Sequence, residues 1–192
     1  MDITGLNIGF AMTGSFCTFA KVVPQIERLR NLGCEIYPVM SEMSFGTDTR
    51  FGEKDMWIEK IKEISGREII TTIKDAEPIG PKNLLDALVI APCTGNTLSK
   101  IAYAMTDSCV AMAAKASLRN DNPLIIAVST NDGLSQSLKN IGLLMNAKNI
   151  YFVPFGQDDA KNKPTSLVAK MDFIEDTLKY AVNKKQIQPV LM

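Results

Sequence analysis

The stretch Ile8-Gly-Phe-Ala-Met-Thr-Gly-Ser15 decides how the chain folds. Its first part is an apolar run of the kind that forms a strand buried on both faces, and Thr13-Gly14 ends it. Beyond it Phe19, Val22, Val23, Ile26 and Leu29 recur three and four apart, with Lys21, Gln25, Glu27, Arg28 and Arg30 between them, which lays one apolar stripe along a helix. A strand that turns through glycine into a helix presents unpaired N–H groups at the positive end of the helix dipole, where a phosphate binds. Thr13, Gly14 and Ser15 are the expected cradle. Gly9 and Gly14 are five apart and no Lys-Ser/Thr pair follows, so neither the GxGxxG fingerprint nor the P-loop is present.

Gly33 stops this helix, and Pro24 implies a kinked start or one later than Thr18. Residues 35–40 read as a second strand and 41–55, polar with Gly46 and Gly52, as a loop. Trp57, Ile58, Ile61 and Ile64 mark a helix closed by Gly66; 68–73 reads as a strand and 75–86 as loop. Residues 87–91, Ala-Leu-Val-Ile-Ala, form the plainest buried strand, ended by Pro92. Helices are expected over 94–105 and 107–120, the second capped by Asp107, followed by a strand over 123–128, a helix over 132–146 and a last strand over 150–153. Leu167, Met171, Ile174, Leu178 and Ala181 mark one long final helix. Alternating strands and helices predict a three-layer, doubly wound, mostly parallel α/β sheet of Rossmann-like type in a single domain, 1–192.

The composition narrows function by exclusion. Lys plus Arg equals Asp plus Glu at 21 each, which argues against a broad electrostatic surface for nucleic acid or membrane. The chain contains no histidine, which excludes Ser-His-Asp and Cys-His catalysis, imidazole acid–base work and most zinc or iron sites, so no metal is expected. Cys17, Cys34, Cys93 and Cys109 show no CxxC spacing and read as buried free thiols. No apolar run approaches a membrane span and the start lacks a signal peptide's pattern, so a cytoplasmic protein is expected.

Ligands of doubly wound sheets bind beyond the carboxyl ends of the strands. That rule gathers 13–15, 41–44, 92–97 and 129–132, with Thr13, Gly14, Ser15, Ser41, Thr94, Gly95, Asn96, Thr97, Ser129 and Asn131 as candidate binding residues. The rim is neutral and hydrogen-bonding, suited to a polyhydroxylated chain that ends in a phosphate.

Thr-Gly-Ser after the first strand, Ala-Pro-Cys-Thr-Gly-Asn-Thr-Leu-Ser-Lys-Ile-Ala at 91–102 and Ser-Thr-Asn-Asp-Gly-Leu at 129–134 resemble the flavoprotein family of FMN-dependent cysteine decarboxylases and flavin prenyltransferases. Pro92, Asn96 and Thr97 match its Pro-x-x-x-Asn-Thr signature. Of its Pro-x-Met-Asn signature only Asn131 is kept; Thr130 stands where methionine is expected. The resemblance implies FMN as cofactor, with Gly14, Ser15 and Ser41 near its phosphate and Thr94 to Thr97 near the ribityl chain and ring.

A narrower resemblance spans almost the whole chain. The stretches 47–52, 112–120, 148–159 and 186–191 look like the B-subunit family of the dipicolinate synthases, in which Gly-Ser-His-Cys-Thr is usual after the first strand and Phe16 here takes the histidine place. It implies an oxidoreductase component that works with a dehydrogenase-like A subunit to form pyridine-2,6-dicarboxylate in the mother-cell cytoplasm of a sporulating bacterium. NAD(P) enters only through that partner, and a homo-oligomer, trimeric or larger, is implied.

A dicarboxylate substrate asks for fixed cations, and Arg50, in the polar loop after the second strand, is the expected carboxylate partner. Lys115 and Arg119 lie four apart on one helical face. Cys17, at a helix start, is the other candidate for chemistry. Asp158 and Asp159 are adjacent carboxylates of the kind that point apart. Two alternatives stay open: an independent decarboxylase of the cysteine type, and a non-catalytic assembly subunit that keeps the pocket as a ligand site.

Overall fold

A computed structural model describes residues 2–192 of the chain. Strand β1 (Asn7–Met12) is followed by helix α1 (Phe19–Asn31) and strand β2 (Glu35–Met40), which pairs in parallel with β1. Then come short helix α2 (Glu42–Gly46), α3 (Lys54–Ser65) and α4 (Ile73–Ala76) before strand β3 (Ala87–Cys93). Helices α5 (Gly95–Ala102) and α6 (Cys109–Arg119) lead to β4 (Leu124–Thr130), and α7 (Leu138–Met145) to β5 (Ile150–Phe152). Strands β6 (Phe155–Gly156) and β7 (Leu167–Ala169) and helix α8 (Ile174–Ala181) complete the chain.

The seven strands run in the order β2-β1-β3-β4-β7-β6, with β5 also on β4. The first five pair in parallel; β7 runs antiparallel to β4 and to β6. Strand β4 outruns β5: its Leu124–Ile126 half pairs with β5, and Ser129 and Thr130 project onward to pair with Val168 and Leu167. Helices α1 and α8 cover one face, and α4 and α6 pack together on the other. Every residue of β3 is buried, as an inner strand covered on both faces requires. The chain leaves β1 toward β2 on one side and returns through β3 on the other, so the topological switch lies between the carboxyl ends of β1 and β3. Among the described residues no helix is long and apolar enough to cross a membrane.

Several elements differ from the sequence reading. Helix α1 starts at Phe19, later than Thr18 as Pro24 implies, but carries Pro24 in its second turn; proline has no N–H for the Ala20 carbonyl four residues earlier, and the helix continues without that bond. The 41–55 loop contains α2, because Ser41 caps it by accepting from Ser44 N at 3.2 Å. The expected strand 68–73 is a single bridge of Ile70 to Val39. Helix α6 is capped by Ser108, which accepts from Ala111 N; Asp107 is instead held by Lys100 Nζ at 3.0 Å. The expected helix 132–146 starts only at Leu138, because turns fill 131–137. Leu167 belongs to β7 and the final helix begins at Ile174: Leu167 fits both a helical stripe with Met171 and a two-residue alternation with Ala169.

Candidate functional site

The switch point is held by one threonine. Thr13 is buried; its hydroxyl donates to Pro92 O at 2.7 Å and accepts from Thr94 N at 3.0 Å. Its proton and one of its lone pairs tie β1 to β3, so Thr13 shapes the cradle through its fold. Two adjoining cavities open beyond it, both bordered by Gly14, Thr94 and Asn96, and Thr13 lines the smaller of the two.

The smaller recess, about 320 Å³, is ringed by hydroxyl groups at helix starts. Ser41, Thr94 and Ser108 are the N-caps of α2, α5 and α6, and all three line it. Thr94 Oγ1 accepts from Thr97 N at 3.4 Å and lies 3.2 Å from Thr97 Oγ1. The N–H groups of Gly95 and Asn96, first in α5, have no partner inside the helix and face an acceptor from outside it. Lys100 adds positive charge at the wall, shared with Asp107, whose carboxyl it holds below the usual range by hydrogen bonding and proximity.

The larger cavity, about 590 Å³, lies between the ends of β1 and β4 and the 157–166 loop. Ser15 Oγ and Ser129 Oγ are 2.7 Å apart across it, which joins the two strand ends. Asp132 closes one wall: it accepts from Thr130 Oγ1 at 2.5 Å and Ser137 Oγ at 2.9 Å. A side chain at Gly95 would lie 2.6 to 2.8 Å from those three oxygens, so the first residue of α5 has to be glycine. Phe16, packed 5.2 Å from Phe19, and Phe51 supply apolar walls. Opposite stands a charged pair, Lys163 Nζ to Asp158 Oδ2 at 3.2 Å; burial raises the Asp158 carboxyl, but hydrogen bonds from Ser166 and Lys163 hold it lower overall.

The structure therefore gathers Thr13, Gly14, Ser15, Ser41, Thr94, Gly95, Asn96, Thr97, Ser129 and Asn131 around two joined cavities. Arg50 lines neither; its guanidinium lies over the Phe51 ring, 4.9 Å from the centroid, where the ring's quadrupole holds it. Lys115 lines a separate apolar recess between α5 and α6. Cys17 is exposed at the larger cavity, against the expectation of four buried thiols, because a short 3₁₀ turn at Phe16–Thr18 sets it ahead of α1. The sequence reading missed Ser108, Lys100, Asp132 and Lys163. Only Ser108 left a signal, a hydroxyl residue directly before an apolar helical pattern.

A neutral cradle of capped helix starts at the switch point of a doubly wound sheet defines the class of site, and the comparisons agree with it. The profile of the family described as Flavoprotein matches residues 1–185, so the chain belongs to that family. It is 51% identical over 191 residues to the B subunit of dipicolinate synthase from Bacillus subtilis (strain 168), covering 100% of this chain and 96% of that one. The crystal structure of the B subunit of dipicolinate synthase from Bacillus halodurans C is similar at a TM-score of 0.92 and 50% identity, over 100% of this chain and 98% of that one. The FMN-dependent cysteine decarboxylase SpaF shares the fold, with a TM-score of 0.68 at 20% identity over 93% and 97% of the two chains.

Proposed function

We propose that this chain is the FMN-site-bearing B subunit of a dipicolinate synthase, acting with a dehydrogenase-like A subunit that supplies NAD(P) to form dipicolinate from a dihydrodipicolinate-type intermediate during sporulation. The observation that carries the flavin reading is the pair of joined cavities, about 590 and 320 Å³, one with a hydroxyl-and-amide recess and one with aromatic walls. Both lie in the range of cofactor sites, roughly 300–1,000 Å³. The similarity to the two B subunits over the whole chain supports the choice of reaction.

The residues present fit FMN. Ser41, Ser108, Thr94 and the free N–H groups of α5 suit a phosphate, with Lys100 contributing charge. Ser15, Ser129, Asn96 and Asn131 suit a ribityl chain and the polar edge of a ring, and Phe16 and Phe51 its apolar edge. A bound flavin supplies two-electron redox chemistry. Phe16 and Phe51 give the larger cavity an apolar wall, and Lys163 offers the ammonium that a substrate carboxylate needs there, the role expected of Arg50. Without histidine, proton movement near neutral pH has no imidazole to use, so the chain's own contribution is binding and orientation. We place it in a homo-oligomer in the cytoplasm.

The reading is tested by reconstitution. The dehydrogenase-like partner with this chain and FMN is expected to form dipicolinate at least tenfold faster than that partner alone. Equal rates with and without this chain exclude the proposal; full stimulation without any flavin reduces the chain to an assembly role.

A further inference from the structure

A third cavity, about 540 Å³, adjoins the larger one and shares Asp158 and Val168 with it. Its walls are the second turn of α1 and the segment from β7 into the turn before α8. None of the candidate cofactor residues lines it.

Its lining carries two carboxylates that are already engaged, Asp158 with Lys163 and Asp172 with Gln25, and two lysines that are not. Lys21 and Lys170 both line it, both are exposed, and among the described residues neither has an ion pair. Gln25, 7% exposed, donates from Nε2 to Asp172 Oδ1 at 3.0 Å, yet its Oε1 is buried with no hydrogen-bond partner. A buried acceptor left unpaired is costly, and native interiors seldom keep one without a use. The space thus combines two ammonium groups that make no ion pair with one buried acceptor that lacks a donor.

We propose that this cavity is a subsite for a small nitrogen heterocycle bearing two carboxylates and a ring N–H: Lys21 and Lys170 take the carboxylates, and Gln25 Oε1 takes the N–H. The class of ligand rests on the function proposed above; the cavity and its unpaired groups do not. The arrangement also discriminates by oxidation state. Once the ring is aromatic its nitrogen carries a lone pair, which faces an acceptor rather than a donor, so the aromatic dicarboxylate is held less tightly than the saturated one.

The test is calorimetric titration of the full chain with piperidine-2,6-dicarboxylate and with pyridine-2,6-dicarboxylate, run beside a titration with FMN. The piperidine compound is expected to bind at least tenfold tighter than the pyridine compound. Lys21→Met and Lys170→Met, both at exposed positions, are each expected to weaken it by about tenfold, the loss of one charge-assisted bond, with FMN affinity unchanged. Gln25→Met is expected to erase the preference for the N–H compound. Binding that is absent, or indifferent to both lysines, overturns the subsite, as does binding lost in Ser15→Val with the lysines intact. Normal FMN binding with no dicarboxylate binding sinks this inference alone. Dicarboxylate binding that depends on the lysines, in a chain that takes no FMN, sinks the flavin reading alone.

Discussion

Two cavities of nearly equal size lie at opposite ends of β4, about 590 Å³ beyond its carboxyl end and about 620 Å³ before its amino end. At the amino end the polar groups satisfy one another. Asp121 Oδ1 accepts from Lys148 Nζ at 2.9 Å and Asn149 Nδ2 at 3.0 Å, and Lys184 Nζ donates to the Asp121 carbonyl. Gln186 accepts from Phe152 N and donates to Phe152 O, both at 2.7 Å, standing in for a strand partner on the edge of β5. The carboxyl end keeps helix-start N–H groups and an exposed thiol on its wall. Size does not separate these two places; the state of their donors does.

The sharpest way to break the comparison is to fill one glycine at each end. In Gly95→Val a side chain meets three oxygens closer than 3.0 Å, so a loss of about 2 kcal/mol in urea unfolding and loss of FMN binding by more than a hundredfold are expected. Gly142→Ala, in the helix that runs toward the other cavity, meets nothing within 4 Å. It is expected to stabilise by about 0.5–1 kcal/mol and to leave FMN binding unchanged. Equal effects at both positions contradict the assignment.

A smaller effect is expected from the groups that differ most. Thr94→Ala removes the cap of α5, which costs about 1 kcal/mol of stability, and FMN affinity is expected to fall about tenfold. Asp121→Asn, at the amino end, is expected to leave that affinity as it was. Fluorescence of Trp57, the sole tryptophan, packed edge-on 5.6 Å from Phe19, reads both titrations.

The smallest effect concerns rates of labelling. Cys34, Cys93 and Cys109 are buried and burial raises all three thiols, Cys109 to about 11, whereas Cys17 is exposed at the larger cavity. One thiol per folded chain is therefore expected to react with a disulfide reagent near pH 8, more slowly when FMN is present. Two or more reacting thiols, or no protection, place Cys17 outside the site.

These contrasts also mark what was legible in the chain. The β1-α1-β2 unit, β3 and the parallel sheet followed from apolar periodicity, because buried inner strands and amphipathic helices are repetitive signals. The grouping of 13–15, 41–44, 92–97 and 129–132 followed from topology alone, since the carboxyl ends of parallel strands lie on one side. The antiparallel β6–β7 hairpin was not legible: β6 is two residues long, and Leu167 fits either period. With the hairpin went Lys163 and Asp158, which reach the cavity only through the 157–166 turn. Asp132 was read as the start of a helix, yet the Thr130 and Ser137 hydroxyls draw its carboxylate back against α5. Arg50, chosen by charge and loop position, lies over its neighbour Phe51, a contact that no spacing in the sequence signals.

The central claim is that the carboxyl-end cavities hold a flavin while the amino-end cavity does not. Purified protein incubated with excess FMN and passed through a desalting column gives the most direct test. Flavin absorbance near one equivalent per chain is expected, abolished by Gly95→Val and retained in Asp121→Asn. A colourless wild-type protein, or equal retention by both variants, contradicts it.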